Sequence, residues 1–260
     1  MILTFDIGNT NIVFALFDDN QLKHQWRVTS DISKSVDDYA VDLVEIFLTH
    51  KINCLNISGV IIGSVVPTLT RKIGEAVKKF TSTSIANKIL TIGDGKTNID
   101  IEVNVKNRSE VGHDRLINAY AASKKFGNNL IIVDFGTATT FDIVGESGEY
   151  LGGIIAPGIN LSIKVLHEMT AQLPKISLKK QTAVIGKNTI EALNSGIYHG
   201  YISLIEGLIT KIEKEYGAKT KHIFTGGLAE IFKDDLSNLI DHYEPNLTLE
   251  GMYKIYKKIN

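Results

Sequence analysis

Two short stretches each place a carboxylate and a glycine at the end of an apolar run: "DIGNTN" at Asp6–Asn11 and "DFGTATTFD" at Asp134–Asp142. A glycine directly after a strand lets the backbone approach a ligand. The hydroxyl and amide side chains beyond it, with free N–H groups, suit phosphate oxygens. The carboxylates do not. Two aspartates beside a polyphosphate repel it unless a cation stands between them, and a hard cation takes oxygen ligands, with magnesium the default. Each copy taken singly also reads as a plain hairpin turn. The repetition is what favours a nucleotide phosphate held between matching bends. Asp142 reads either as a third oxygen ligand or as a surface side chain on a strand.

A third cluster, "VGHDRL" at Val111–Leu116, lies between the two. Asp114 stands just before an expected helix, where exposed N–H groups and the helix dipole favour an anion, and Arg115 offers a planar fork for a carboxylate or phosphate. A carboxylate beside an anion holder is the minimum equipment for phosphoryl transfer. There the protein positions the acceptor hydroxyl, takes its proton and neutralises developing charge. The alternative makes Asp114 a helix cap and Arg115 a surface cation. Other motifs carry less. "IGDGKT" ends like a phosphate-binding loop, but Leu90 stands where that pattern needs its first glycine, which leaves a turn. No Gly-x-Gly-x-x-Gly follows a strand, and the 7 histidines never pair with a cysteine at zinc-ligand spacing, so His167, His199 and His222 read as structural.

These residues need elements to hold them. β-Branched and aromatic runs at Ile2–Phe5 and Ile12–Phe17, parted by Gly8 and Asn9, predict a hairpin, with Leu22–Val28 as a third strand. Apolar spacing predicts helices over Asp37–His50, Leu69–Phe80 and Arg115–Lys125, and a buried strand over Val60–Val66 that Pro67 stops. Thr91–Arg108 has little periodicity and reads as loop or short edge strands. The second half restarts the grammar with strands at Leu130–Asp134, Phe141–Val144 and "LGGIIAPG". Helices follow at about Ile159–Met169, Thr189–Tyr216 and Leu228–Leu239. A strand at Lys221–Thr225 is closed by Gly226 and Gly227, and a basic surface tail runs from Pro245.

Composition bounds the rest. The 260 residues, 43% hydrophobic and 22% charged, suffice for two modest cores. With 28 Lys+Arg against 29 Asp+Glu the net charge is -1, so no global field recruits nucleic acid or an anionic membrane. No apolar run nears the roughly 18 to 20 residues that cross a bilayer. A single cysteine, Cys54, and the absence of a basic-then-apolar leader pattern point to a reducing, cytoplasmic setting.

As an ordered set, "DIGNTN", "SVVP" at Ser64–Pro67, "GHDR" at Gly112–Arg115, "DFGTATTFD", "GGIIAPG" at Gly152–Gly158, "NTIEALNSGI" at Asn188–Ile197 and "TGG" at Thr225–Gly227 resemble the type III pantothenate kinases over nearly the whole chain. The resemblance implies an α/β fold of two duplicated ribonuclease H-like domains with an interdomain cleft, within the acetate and sugar kinase, heat-shock chaperone and actin superfamily. Residues 1–115 would form the N-terminal domain, with the phosphate turn and, at its end, the acceptor-site loop. Residues 116–260 would form the C-terminal domain, with the second phosphate turn and dimerisation helices. The implied activity is ATP-dependent phosphorylation of pantothenate to 4'-phosphopantothenate, the first step of coenzyme A biosynthesis.

By the same resemblance, Asp6, Ile7, Gly8, Asn9, Thr10, Asn11, Ile12, Val13 and Thr137 hold ATP, and Asp114 is the catalytic proton acceptor. Gly112, His113, Asp114, Arg115 and Thr189 border pantothenate. Asp134 binds a monovalent cation, K⁺ or NH₄⁺, alongside Mg²⁺. A homodimer in which residues around Thr189 complete the partner's substrate site is also implied. Two stretches depart from the family pattern. Its Tyr-x-Asn-Pro is here Val105, Lys106, Asn107 and Arg108, which removes a tyrosine contact to the substrate. His113 stands where alanine is common, either donating a hydrogen bond near the acceptor or packing. The same superfamily hosts other small-molecule kinases and polyphosphate phosphatases, and some relatives are described as accessory factors for transcription; these are the alternative readings.

Overall fold

The computed structural model describes residues 1–95 and 97–260. β1 (Ile2–Ile7), β2 (Asn11–Asp18) and β3 (Gln21–Thr29) form an antiparallel meander. Asp19 and Asn20 join the last two strands at positive φ, 46° and 62°, in a two-residue turn whose twist matches that of the strands. β1 also pairs in parallel with β4 (Gly59–Ser64), and β4 with β5 (Ile89–Thr91), so the order is β3-β2-β1-β4-β5. β1 and β4 are apolar nearly throughout, as strands covered on both faces must be. Period-two alternation sorts their side chains. Leu3, Phe5, Ile7, Val60 and Ile62 share a core with Leu43, Phe47, Ile73 and Val77 of α1 (Val36–Thr49) and α2 (Pro67–Phe80). Ser35 and Asp38 close a full capping box on α1, and Pro67, expected as a strand stop, is also the first residue of α2.

The second sheet repeats the plan. β6 (Leu130–Phe135), β7 (Ala138–Val144) and β8 (Tyr150–Pro157) are an antiparallel meander, and β6 pairs in parallel with β9 (Lys221–Thr225), which pairs in parallel with β10 (His242–Tyr243). The order β10-β9-β6-β7-β8 is the first order read from the other end. α3 (His113–Phe126) precedes this sheet, and α4 (Ile159–Glu168) and α5 (Thr189–Tyr216) lie between β8 and β9 in the chain. Ile131, Val133 and Phe141 meet Ile163, Tyr198, Tyr201 and Ile205 in its core. The duplicated α/β plan expected from the repeated turns is therefore present.

Two compact units result: Met1–Ile101 with Asn107–Ala121 and Leu247–Asn260, and Glu102–Lys106 with Ala122–Asn246. This differs from a division at 115/116, because α3 runs through the boundary and the chain's end returns to the first unit. The expected surface tail is α6 (Leu247–Ile259), which buries Leu247, Leu249, Met252, Tyr253, Ile255 and Tyr256. Lys254 lies among these residues and Lys257 and Lys258 follow them, which masks the stripe in a simple reading of charge. The helix expected over Leu228–Leu239 is instead a short 3-10 segment, Ala229–Phe232, followed by turns. Most backbone bonds there run from residue i to i+3, and Asp235 binds sideways to Lys180 and Tyr198. The short strands β5 and β10 had no periodic signal. Among the described residues, no helix is long and apolar enough to cross a membrane.

Candidate functional site

In the first unit, β1, β4 and β5 are parallel, so their C-terminal ends face one way, the side on which such sheets present ligand-binding loops. The bend after β1 is tightly closed. Gly8 N–H donates to Asn11 O at 3.0 Å, Ser30 N–H to Thr10 O at 3.0 Å, and Ser30 Oγ–H to Gly8 O at 2.6 Å. A Cβ on Gly8 would lie 3.3 Å from Asn11 O, so the bend favours glycine there. Asn9 and Thr10 are exposed at its tip. The "SVVP" turn after β4 is tied to it, since Val65 N–H donates to Ile7 O at 3.1 Å while Val66 N–H donates to Ser64 Oγ at 2.9 Å.

Asp6 pairs with Val13 and Gly63 and, by strand alternation, shares a sheet face with Thr4, Gly59 and Gly63. That face is covered by α6 and by Ile117 of α3: a Cβ on Gly63 would meet Met252 Sδ at 2.9 Å and Ile117 Cδ1 at 3.2 Å. Asp6 and α3 thus belong to the same face of one sheet.

α3 begins at His113, so Asp114 lies in its first turn rather than ahead of it, a position the helix dipole still favours for a carboxylate. A Cβ on Gly112 would be 2.4 Å from Asp114 Oδ1. The carboxylate therefore folds back over bare backbone, which gives Gly112 its physical reason. His113 packs: a Cβ on Gly93 would fall 2.2 Å from its Cε1 and 2.5 Å from Nε2. Lys96, in the same "IGDGKT" loop, lies outside the described residues. Val105, in place of the family's tyrosine, is beside Gly152 of β8, 3.7 Å from where its Cβ would be.

In the second unit, Asp134 pairs with Thr140 on β7 and Thr225 on β9. Gly136 N–H donates to Ala138 O at 3.1 Å across the tight turn that carries Thr137. Gly226, at φ 92°, leaves bare a point 2.6 Å from Asp134 Oδ1, and Gly158 leaves bare a point 2.1 Å from Thr137 O. "APG" and "TGG" therefore both pack through a glycine against the turn that follows β6, Gly158 on the Gly136–Thr137 backbone and Gly226 on Asp134 and the Phe135 backbone. A carboxylate at this strand end is a ligand type that suits a hard cation. Among the described residues no three His, Cys, Asp or Glu side chains gather as a metal cage, and Mg²⁺ is ordinarily held by one or two carboxylates together with substrate phosphates.

Asp142 is fully buried, which overturns the surface alternative. Tyr150 Oη–H donates to its Oδ1 at 2.8 Å and Thr140 Oγ1–H to its Oδ2 at 3.1 Å. Thr189 is the exposed first residue of α5, whose Asn188 cap accepts from Glu191 N–H at 2.9 Å. It borders a depression of about 370 Å³ lined by Leu166, Leu173, Leu193 and Ile197. His222 is buried and bonded to Leu239 O and Thr220 Oγ1, as a structural histidine should be. Reading the sequence missed Gly93, because only the fold reveals what sits against a glycine.

A sequence profile for the family described as type III pantothenate kinase matches residues 2–211. The type III pantothenate kinase of Acidiphilium cryptum is 44% identical over 254 residues, 97% of this chain and 92% of that protein. That of Moorella thermoacetica is 42% identical over 259 residues, 99% of each. Among solved structures, a Sinorhizobium meliloti protein assigned as a 2-dehydro-3-deoxygalactonokinase aligns with TM-score 0.63 at 9% identity, over 100% of this chain and 97% of that one. A Campylobacter jejuni protein assigned to the Baf family of transcriptional activators aligns with TM-score 0.58 at 21% identity, over 99% of this chain and 98% of that one. These structural likenesses show the fold, a duplicated ribonuclease H-like α/β architecture. On profile and identity together, with its motifs seated at the ends of two matching sheets, the chain belongs to the type III pantothenate kinase family.

Proposed function

We propose that this chain transfers the γ-phosphoryl group of ATP to the primary hydroxyl of pantothenate, giving 4'-phosphopantothenate and ADP on the way to coenzyme A. The observation that carries the site assignment is the equivalence of its two bends: Asp6 and Asp134 are each the fifth residue of the strand that pairs with a meander on one side and a parallel strand on the other. The bend from Asp6 through Gly8, Thr10 and Asn11 to Val13 holds ATP phosphates, and Thr137 approaches the same nucleotide. Asp114 accepts the hydroxyl proton as that oxygen bonds to the γ-phosphorus and the bond to the ADP oxygen breaks. Arg115, Gly112 and Thr189 border the acceptor. Asp134, beside the bare backbone of Gly226, holds K⁺ or NH₄⁺. Mg²⁺, held by phosphate oxygens and Asp6, would supply neutralisation of the charge that develops in transfer.

A homodimer and a cytoplasmic setting complete the proposal. Leu161, Val165 and Met169 along α4, with Val184, Ile185 and Ile190 around the start of α5, are all exposed, Met169 and Ile185 by 79% and 81%. Large apolar residues clustered like this favour a second copy as cover. The deciding experiment is Asp114→Asn. Pantothenate-dependent ADP release should fall by about 10²- to 10⁴-fold while ATP binding persists. An undiminished rate removes the proton-acceptor role, and equal rates in sodium and potassium buffers remove the monovalent-cation role of Asp134. ADP release that does not require pantothenate would favour a different acceptor.

A further inference from the structure

The loop after β5 is pinned on two sides. Ile92 N–H donates to Ile62 O of β4 at 2.9 Å, and Thr97 N–H donates to Asp94 Oδ1 at 2.9 Å. Between those anchors Gly93 stands at φ 90°, a left-handed conformation that glycine adopts freely. The His113 imidazole occupies the space above it: the position a Cβ would take is 2.2 Å from Cε1, 2.5 Å from Nε2 and 3.0 Å from Nδ1. The ring thus lies against bare backbone at the C-terminal end of the sheet. One residue on, Asp114 folds its carboxylate over Gly112, where a Cβ would be 2.4 Å from Oδ1. Two glycines flank the first turn of α3, and each makes room for the side chain of one of two consecutive residues.

We infer that His113 is a positioning residue: seated on Gly93, it fixes the first turn of α3 against the loop after β5 and so sets the orientation of the Asp114 carboxylate. The inference rests on Asp114 acting in phosphoryl transfer. It assigns His113 a role exerted through its neighbour rather than through contact with pantothenate, and the two roles separate kinetically. A residue that only holds pantothenate in the ground state changes KM, whereas one that aims the base changes kcat.

Gly93→Ala is the decisive variant because it displaces the ring. Gly95→Ala, in the same loop at φ 79° with nothing within 4 Å of an added Cβ, carries the backbone strain alone. Gly93→Ala is expected to lower kcat by about a hundredfold, the scale of an ångström-sized misplacement, with KM for pantothenate little changed. Gly95→Ala should stay near the parent enzyme. In a His113→Ala background Gly93→Ala should add little, since its target is gone, and this non-additivity is the signature of direct coupling. His113→Phe, which keeps a flat ring and loses both nitrogens, should retain most of the turnover that His113→Ala loses. The inference is overturned if Gly93→Ala and Gly95→Ala behave alike, if the Gly93 and His113 effects multiply independently, or if KM moves while kcat holds. Should Asp114→Asn remain active while Gly93 and His113 are still coupled in thermal unfolding, the proton-acceptor role falls and the ring-on-glycine contact stands.

Discussion

Aligned by their parallel pairs, the two sheets set Asp6 against Gly63 in one unit and Asp134 against Thr225 in the other. Gly63 and Ser64 thereby correspond to Thr225 and Gly226, and the glycine has moved by one residue. At Gly63 the missing side chain admits Met252 and Ile117, so that α6 and α3 close on the sheet. At Gly226, with φ 92°, it lets the chain pack directly against the Phe135 backbone and the Asp134 carboxylate. A second pair of equivalents lies two residues beyond Val13 and Thr140, the partners of the two aspartates. Ala15 and Asp142 are both fully buried, one as a methyl group, the other as a carboxylate held by two hydroxyls. Topology is shared, and placement of single residues decides whether a position serves packing or chemistry.

Cover for the first sheet comes from the far end of the chain, and removing residues 247–260 tests that most severely. Six buried apolar side chains at about 1.5–3 kcal/mol each exceed much of a stability of about 5–15 kcal/mol. The truncated chain is expected to lose its cooperative unfolding transition. Tyr253→Ala asks the same question more gently. Its ring stacks on Phe17 at 4.6 Å between centroids and its hydroxyl donates to Asn20 Oδ1 at 3.0 Å. A loss of about 4 kcal/mol in denaturant titration is expected; an unchanged midpoint would make α6 an accessory.

The displaced glycine sharpens the comparison. Gly226→Ala combines left-handed backbone strain with a methyl 2.6 Å from the Phe135 nitrogen, a backbone atom that cannot swing aside. About 3 kcal/mol of stability should go, and nucleotide binding with it. Gly63→Ala meets the end of the flexible Met252 side chain instead, so about 1 kcal/mol is expected, with nucleotide affinity intact. Equal losses of affinity in the two variants would erase the distinction between packing glycine and site glycine.

Asp142→Asn probes the other equivalent pair. The amide places a donor where Tyr150 or Thr140 now donates, so one hydroxyl loses its acceptor. About 2 kcal/mol of stability should be lost, with turnover at low temperature preserved. Lost turnover in a fully folded variant would make this carboxylate a ligand and not a strut.

Much of this was legible in the sequence, for reasons that also mark its limits. Strands β1, β2, β6 and β9 and helices α1, α2 and α5 carry their own periodicity and caps, and Asp6, Asp134 and Asp114 announce themselves by residue type beside glycine. β5 and β10 are three and two residues long, too short for any period, and exist because β4 and β9 offer open edges. α6 has a clear apolar stripe, but its lysines read as a solvated tail until a sheet face lacking cover is known to exist. The pairing of Gly93 with His113 joins residues twenty positions apart through space alone. Nothing local records it.

The smallest expected effect is a difference in response to pH between the units. In the first, Ser35 backbone and side-chain hydrogen bonds hold Asp38 below the ordinary carboxylate range at a helix cap. In the second, the Lys180 ammonium at 2.7 Å and the Tyr198 hydroxyl at 2.6 Å hold Asp235 low, tying α5 to the turns after β9. A carboxylate depressed in the folded state contributes stability above its unfolded value of about 3.9 and loses it as pH falls through the lower folded value. Tyr198 runs the other way. Burial, and then its bond to Asp235, push it up to about 12, so its contribution is complete below about 10 and disappears as pH rises toward 12. Asp235→Asn should therefore lower the melting temperature modestly at pH 7, because Lys180 and Asp235 are partly solvent-screened. The two proteins should converge only in acid, once pH has fallen below the depressed folded-state value of Asp235. A gap that persists in acid would mean the contact acts by shape and not by charge, and the acid response would then belong to the cap at Asp38.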